Sequence, residues 1–167
     1  MDTFRQIQDK ILPRENLAET IAHIRKQGYS IGFTNGCFDI LHKGHIQYLA
    51  HAADLADILI IGLNTDKSVQ VIKGKNRPIQ DQDTRALNLA SLLFVDFVVM
   101  FHEDTPYEII RIIEPDFLIK GGEYSHQEIV GNDIVTARGG KVLTVPMIEG
   151  YSTTSIIEKI SRIDKNT

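Results

Sequence analysis

Short apolar runs alternate with longer amphipathic ones along this chain, the pattern of strands joined by crossover helices in a parallel sheet. The apolar runs predict strands over 30–34, 58–63, 97–101, 117–119 and 142–145. Helical spacing between and after them predicts helices over 45–56, 84–94, 106–113, 127–137 and 153–163. Two more helical segments, 3–12 and 15–27, precede the first strand, and Gly28 is a stop signal. The expected fold class is therefore α/β, a single Rossmann-like doubly wound parallel sheet. Residues 1–28 are expected to form an N-terminal helical extension packed on a domain spanning 29–167. The polar segment 73–83, KGKNRPIQDQD, is broken by Gly74 and Pro78 and is expected to be a mobile surface loop.

In open sheets of this kind ligands bind beyond the carboxyl ends of the strands, where strand order reverses. The segment after the first predicted strand, TNGCFDILHKGH at 34–45, carries the chemistry expected there. Gly36 lets backbone approach a ligand, and the helix that follows offers unpaired N–H groups and its positive dipole end. His42 and His45 lie three apart across Gly44, so both rings can serve one phosphate from the first helical turn. Ser152, Thr153 and Thr154 precede another helical run and can cap it or bind phosphate oxygens. Asp39 could orient a histidine, bind substrate hydroxyls, coordinate magnesium or simply stabilise its turn. The paired glycines Gly121 and Gly122 permit a backbone wall against a planar base.

Composition narrows the partners. With 167 residues and 43% hydrophobic content the chain suits one domain with a substantial core. Lys and Arg number 18 against 22 Asp and Glu, a net charge of -4, which leaves no global basic footprint for nucleic acid. The one cysteine, Cys37, can form neither an internal disulfide nor a cysteine-based zinc site, and it reads as a small buried filler. No apolar run approaches the roughly 20 residues needed to span a bilayer, and the first ten residues lack a signal-peptide core. A cytoplasmic protein without membrane contact is expected. His23, His51, His102 and His126 lack motif context and are read as structural or surface residues.

The segments 34–52 (TNGCFDILHKGHIQYLAHA), 73–78 (KGKNRP), 104–106 (DTP), 120–124 (KGGEY) and 149–157 (EGYSTTSII) resemble the cytidylyltransferase-like nucleotidyltransferases. Within that superfamily they are most similar to the adenylyltransferase domain of ADP-heptose synthases. The resemblance implies transfer of AMP from ATP to D-glycero-β-D-manno-heptose 1-phosphate, without a covalent intermediate, for lipopolysaccharide or other surface sugars. It makes His42 and His45 catalytic, with Lys43 between them ranked lower. It assigns the nucleotide to Thr34, Asn35, Gly36, Phe38, Gly44, Lys73, Arg85, Gly121, Gly122, Ser152, Thr153 and Thr154. Lys73, Arg85 and the three hydroxyls would hold the triphosphate. Asp39, Lys120 and Tyr124 would serve the acceptor, and magnesium would enter through the nucleotide phosphates, with Asp39 a possible protein ligand.

Several alternatives stay open on these residues. A glycerol 3-phosphate cytidylyltransferase typically carries Arg shortly before the E-G-x-S-T-T segment, where this chain has Met147. A class I aminoacyl-tRNA synthetase shares H-x-G-H, but this chain is too short and lacks the second lysine-rich signature. A non-catalytic nucleotide-binding module is disfavoured by the intact His42, Gly44 and His45. A homodimer is expected, with a separate sugar kinase upstream to supply the 1-phosphate.

Overall fold

All five apolar runs are strands, and they pair in parallel because each is followed by a helix that returns the chain to the same edge. The computed structural model describes residues 2–122, 125 and 128–164. The strands are β1 (Ile31–Gly36), β2 (Ile58–Asn64), β3 (Phe97–Phe101), β4 (Phe117–Gly121) and β5 (Lys141–Val145). The helices are α1 (Thr3–Asp9), α2 (Leu17–Lys26), α3 (Lys43–Ala53), α4 (Asp66–Lys73), α5 (Gln82–Ala90), α6 (Tyr107–Ile113), α7 (Asn132–Ala137) and α8 (Thr153–Asp164). Strand order is β3-β2-β1-β4-β5, so the winding direction reverses between β1 and β4. The β1–β2 ladder runs the full length of β1, from Ile31 opposite Ile58 to Gly36 opposite Leu63. The β1–β4 register holds only Gly32 with Phe117 and Phe33 with Leu118. Beyond Phe33 the two strands part, and the sheet opens at its carboxyl edge.

The period-two alternation of the strands sends their apolar side chains to two faces. One face buries Phe33, Ile60, Val99 and Leu118 against Ile21 and Ile24 of α2, Ile109, Ile110 and Ile113 of α6, and Val135 of α7. The other buries Leu59, Ile61, Leu63 and Ile119 against Leu49 and Ala52 of α3 and Leu89 and Ala90 of α5. Leu17, Ile21 and Ile24 thus join the core itself, and Ile11 bridges Val98 of β3, so the N-terminal helices close the sheet's faces.

Three local expectations change. Residues 66–73 form α4, which the sequence pattern had not marked. Its N-cap Thr65 accepts from the Ser68 amide, while Val71 and Ile72 point outward and spoil the amphipathic signal. The segment that follows is tied down rather than free: Asp39 accepts hydrogen bonds from Arg77 Nε and from the amides of Ile79 and Gln80. Helix α7 begins at Asn132, later than the pattern suggests, and Gln127 lies outside the described residues. Gly28 does end α2, at φ 81°.

Candidate active site

The opening at the carboxyl ends of β1 and β4 is a cleft of about 450 Å³. Its floor is Asn35 and Gly36 at the end of β1 and Lys120 of β4; one wall is the 37–45 turn, another is Lys73 at the end of α4, and the rim is 151–154 before and at the start of α8. A narrower recess of about 190 Å³ continues inward past Phe38, His45, Tyr48, Gly121 and Met147. Strand reversal creates the crevice, and the N-termini of α3 and α8 both meet it. Those helix ends bring unpaired amides and positive dipole ends, which suits an anion.

His42 caps α3: its Nδ1 accepts from the His45 amide at 3.4 Å. With Nδ1 an acceptor, a neutral ring carries its proton on Nε2. The His42 and His45 rings stack at 3.8 Å between centroids, inclined by 24°. Gly44 makes this possible, because a Cβ there would lie 3.0 Å from His42 Cε1 and 3.1 Å from its Nδ1. Phe38 packs edge-on against His45 at 5.4 Å and adopts φ 44°, a conformation that strains a bulky residue and aims its ring inward. Burial lowers the pKa of His42, and burial together with the neighbouring His42 lowers that of His45 to about 4. Both imidazoles are therefore neutral donors at pH 7. His45 Nδ1 is buried and makes no hydrogen bond of good geometry among the described residues; the Ile40 carbonyl acts on the ring only weakly, raising its pKa against burial.

Across the cleft, Lys120 Nζ donates to Asn35 Oδ1 at 2.6 Å. Burial lowers the Lys120 pKa to about 8, leaving an ammonium at neutral pH that is readily deprotonated in mild alkali. Gly121 admits Met147, whose Sδ would lie 2.7 Å from a Cβ at that position. Ser152 Oγ accepts from the Ser155 amide at 3.0 Å, a capping contact, and Thr153 Oγ1 donates to the Ile40 carbonyl at 3.4 Å. Thr154 is exposed on the rim.

Residues 33–159 match the Cytidylyltransferase-like family. The chain belongs to that family. It is 48% identical over 156 residues to the Bifunctional protein HldE of Trichlorobacter lovleyi, covering 93% of this chain and 32% of the relative. It is 50% identical over 153 residues to the Bifunctional protein HldE of Wolinella succinogenes, covering 92% and 31%. The chain thus spans about a third of the length of these relatives. Among solved structures it is similar to a lipopolysaccharide core biosynthesis protein from Thermoplasma volcanium, with TM-score 0.60 and 28% identity over 75% of this chain and all of that one. A pantoate-beta-alanine ligase from Francisella tularensis, at TM-score 0.54 and 16% identity over 87% of this chain and 75% of that one, shares the fold.

In this cytidylyltransferase-like chain the cleft gathers Asn35, Gly36, Phe38, Asp39, His42, His45, Lys73, Lys120 and the 152–154 hydroxyls from segments far apart in sequence. Gly44 lies beneath the His pair, and Gly121 lines the inner recess. Gly122 follows β4 at φ 105°, which fits a residue without a side chain. Tyr124 and His126 lie outside the described residues.

Three expected roles are corrected. Arg85 does not reach the cleft: its side chain is fully buried and donates to the carbonyls of Gln80, Cys37 and Asn64 and to Asp66 Oδ1 at 2.7 Å. It clamps the strand ends and the 74–81 loop from beneath instead of holding a triphosphate. Thr34 is likewise buried; its hydroxyl donates to Tyr48 Oη at 2.5 Å, and Tyr48 in turn donates to the Ile119 carbonyl. Asp39 reaches the cleft wall, but its carboxylate is filled by Arg77 and two amides, which leaves no lone pair suited to magnesium. Those bonds outweigh burial and hold its pKa low. Lys43 is exposed on α3 and does not itself line the cleft, but its Nζ lies 5.5 Å from the ring of Tyr151 on the rim.

Other residues emerge that sequence alone did not mark as site residues. Cys37 is half-buried and lines the cleft rather than filling a core, with its thiol pKa pushed up by burial. Tyr48 walls the recess, and Arg77 lines the same cleft as the 152–154 rim. All three lie inside the segments 34–52 and 73–78 that carry the family resemblance, but of them only Arg77 has a charge that marks it for a phosphate. His23, His51 and His102 are exposed, as expected for residues outside the motif.

Proposed function

We propose that the chain is an adenylyltransferase that moves AMP from ATP to D-glycero-β-D-manno-heptose 1-phosphate, giving ADP-heptose and pyrophosphate. The observation that carries this reading is the stacked His42–His45 pair at the start of α3, lining a cleft on the strand-reversal point. The relatives named Bifunctional protein HldE and the neighbour described as a lipopolysaccharide core biosynthesis protein support a sugar-nucleotide product for surface polysaccharide.

In the proposed reaction an oxygen of the sugar phosphate attacks the α-phosphorus in line. A new P–O bond forms, the bond from the α-phosphorus to the bridging oxygen breaks, and its electron pair leaves on pyrophosphate. The acceptor oxygen is already anionic, so no general base is required. Neutral His42 and His45 donate to the α-phosphoryl oxygens as charge builds on them. Lys73 and the hydroxyls of Ser152, Thr153 and Thr154 hold the departing phosphates, while Lys120 pairs with the anionic acceptor. Positioning of the two phosphates supplies much of the acceleration, as in phosphoryl transfer generally.

Magnesium is read as part of the nucleotide substrate. Among the described residues no group of three His, Cys, Asp or Glu side chains could hold a metal, and Asp39 is already filled. Because the acceptor is a 1-phosphate, a kinase acting at the anomeric position must precede this step. ATP is preferred over CTP: Met147 puts a thioether against Gly121 where cytidylyl enzymes typically carry Arg.

The test is pyrophosphate release by the pure protein with magnesium, ATP or CTP, and heptose 1-phosphate, heptose 7-phosphate or glycerol 3-phosphate. Release is expected with ATP and heptose 1-phosphate. Reaction of glycerol 3-phosphate with CTP in its place would overturn the assignment.

A further inference from the structure

We propose that Arg77, oriented by Asp39, is a second cation for the leaving pyrophosphate beside Lys73. The inference rests on the nucleotidyl-transfer reading above and deepens it. Arg77 Nε donates to Asp39 Oδ2 at 2.7 Å, and that carboxylate is 1% exposed. The guanidinium is therefore fixed along one edge. Its two terminal nitrogens make no hydrogen bond among the described residues, although the side chain is only 18% exposed. Four N–H donors are thus presented to a cleft shared with Lys73, His42, Ser152, Thr153 and Thr154. A planar, permanently charged fork with its outer donors unused suits the paired oxygens of a phosphate.

Holding the loop does not account for this arrangement. The 74–81 segment is already fastened by the Ile79 and Gln80 amides on Asp39 and by Arg85 Nε on the Gln80 carbonyl. Fastening needs only the Nε edge, and the outer donors, which are not buried, remain directed to the cleft where an anion can replace their water. With Arg85 turned inward, Lys73 would otherwise face a multiply charged leaving group as the one cation on that wall among the described residues lining the cleft. Asp39 acts here as a positioning residue. It balances the Arg77 charge when the cleft is empty and sets the direction of the fork.

Calorimetric titration of pyrophosphate, ATP and AMP into the wild type, R77Q and R77K tests this, with thermal melts to confirm folding. R77Q is expected to weaken pyrophosphate and ATP by roughly tenfold to a hundredfold, the scale of lost charge-assisted hydrogen bonds, and to leave AMP within about twofold. R77K keeps the charge but loses the fork, and roughly tenfold weakening is expected. Unchanged pyrophosphate affinity in folded R77Q would overturn the proposal, as would a parallel loss of AMP and ATP, the mark of a purely structural role. If R77Q does not fold, R77K decides, and wild-type affinity in that variant overturns it. Turnover with heptose 1-phosphate is measured alongside. A wild type that binds pyrophosphate but does not use that acceptor refutes the acceptor, whereas the Arg77 role is judged on the binding data.

Discussion

Lys120 Nζ donates to Asn35 Oδ1 at 2.6 Å across the gap where β4 and β1 have parted. The two residues are 85 positions apart, and the bond spans the reversal of strand order at the floor of the cleft. Asn35 offers a neutral acceptor, so the ammonium keeps its full charge for an incoming anion while its pKa is held near 8 by burial. In the free protein this amine loses its proton as pH rises through about 8. Accordingly, kcat/KM for the sugar phosphate is expected to fall with an inflection near that pH. Arg in place of Lys120 keeps its charge, so K120R is expected to lose that inflection. A profile for the wild type that stays flat to pH 9 would remove Lys120 from acceptor binding.

His42→Ala or His45→Ala is expected to lower turnover by roughly two orders of magnitude or more, the scale of one preorganised transition-state donor. Circular dichroism should show a folded protein in both cases. Near-normal pyrophosphate release by either folded variant would contradict the assigned role.

His45 also predicts how stability responds to acid. Its pKa is lowered from 6.5 to about 4 in the folded protein. Between those values the unfolded chain binds a proton that the folded chain does not, so stability rises with pH across the window and is lost on acidification. Urea melts from pH 7 to pH 4.5 should show this slope, and H45N should flatten it. An equal slope in the variant would assign the effect to other groups.

Gly121 and Met147 should behave as a coupled pair. A Cβ at 121 would sit 2.7 Å from Met147 Sδ and 3.3 Å from Tyr48 Cε2. G121A is expected to push the thioether into the recess and raise KM for ATP by several-fold. Shortening Met147 in the G121A/M147A double variant should recover much of that loss, and a double-mutant cycle reads the coupling. Simple additivity would show that Met147 is not the obstacle.

Arg85→Ala is expected to destabilise the fold by about 3 kcal/mol, because it removes a fully buried side chain and leaves the Gln80, Cys37 and Asn64 carbonyls without their donor. The loss should appear in denaturant melts with or without nucleotide. A variant of normal stability that has selectively lost pyrophosphate affinity would return Arg85 to the phosphate site.

The strands, their parallel arrangement and the H-x-G-H turn were legible from sequence because each is encoded over a short span. Apolar runs such as Ile58 to Leu63 can only be buried strands once helices flank them, and His42, Gly44 and His45 carry their geometry within a single helical turn. The hydroxyls at 152–154 were legible for the same reason, as a helix start.

Tertiary structure decided which charges and hydroxyls face the cleft. Arg77 lies within one polar loop and Arg85 just after it, yet Arg85 is drawn beneath the loop by the carbonyls of Cys37 and Asn64 while Arg77 is turned to the cleft by Asp39, 38 positions away. Thr34 has the composition of a binding residue but is claimed by Tyr48 across the core. Such outcomes depend on which buried donors and acceptors are brought within hydrogen-bonding reach by strand order, and an unpaired polar group in the interior is too costly to leave. Local sequence holds each group's chemistry, whereas its partner is chosen only when the sheet closes.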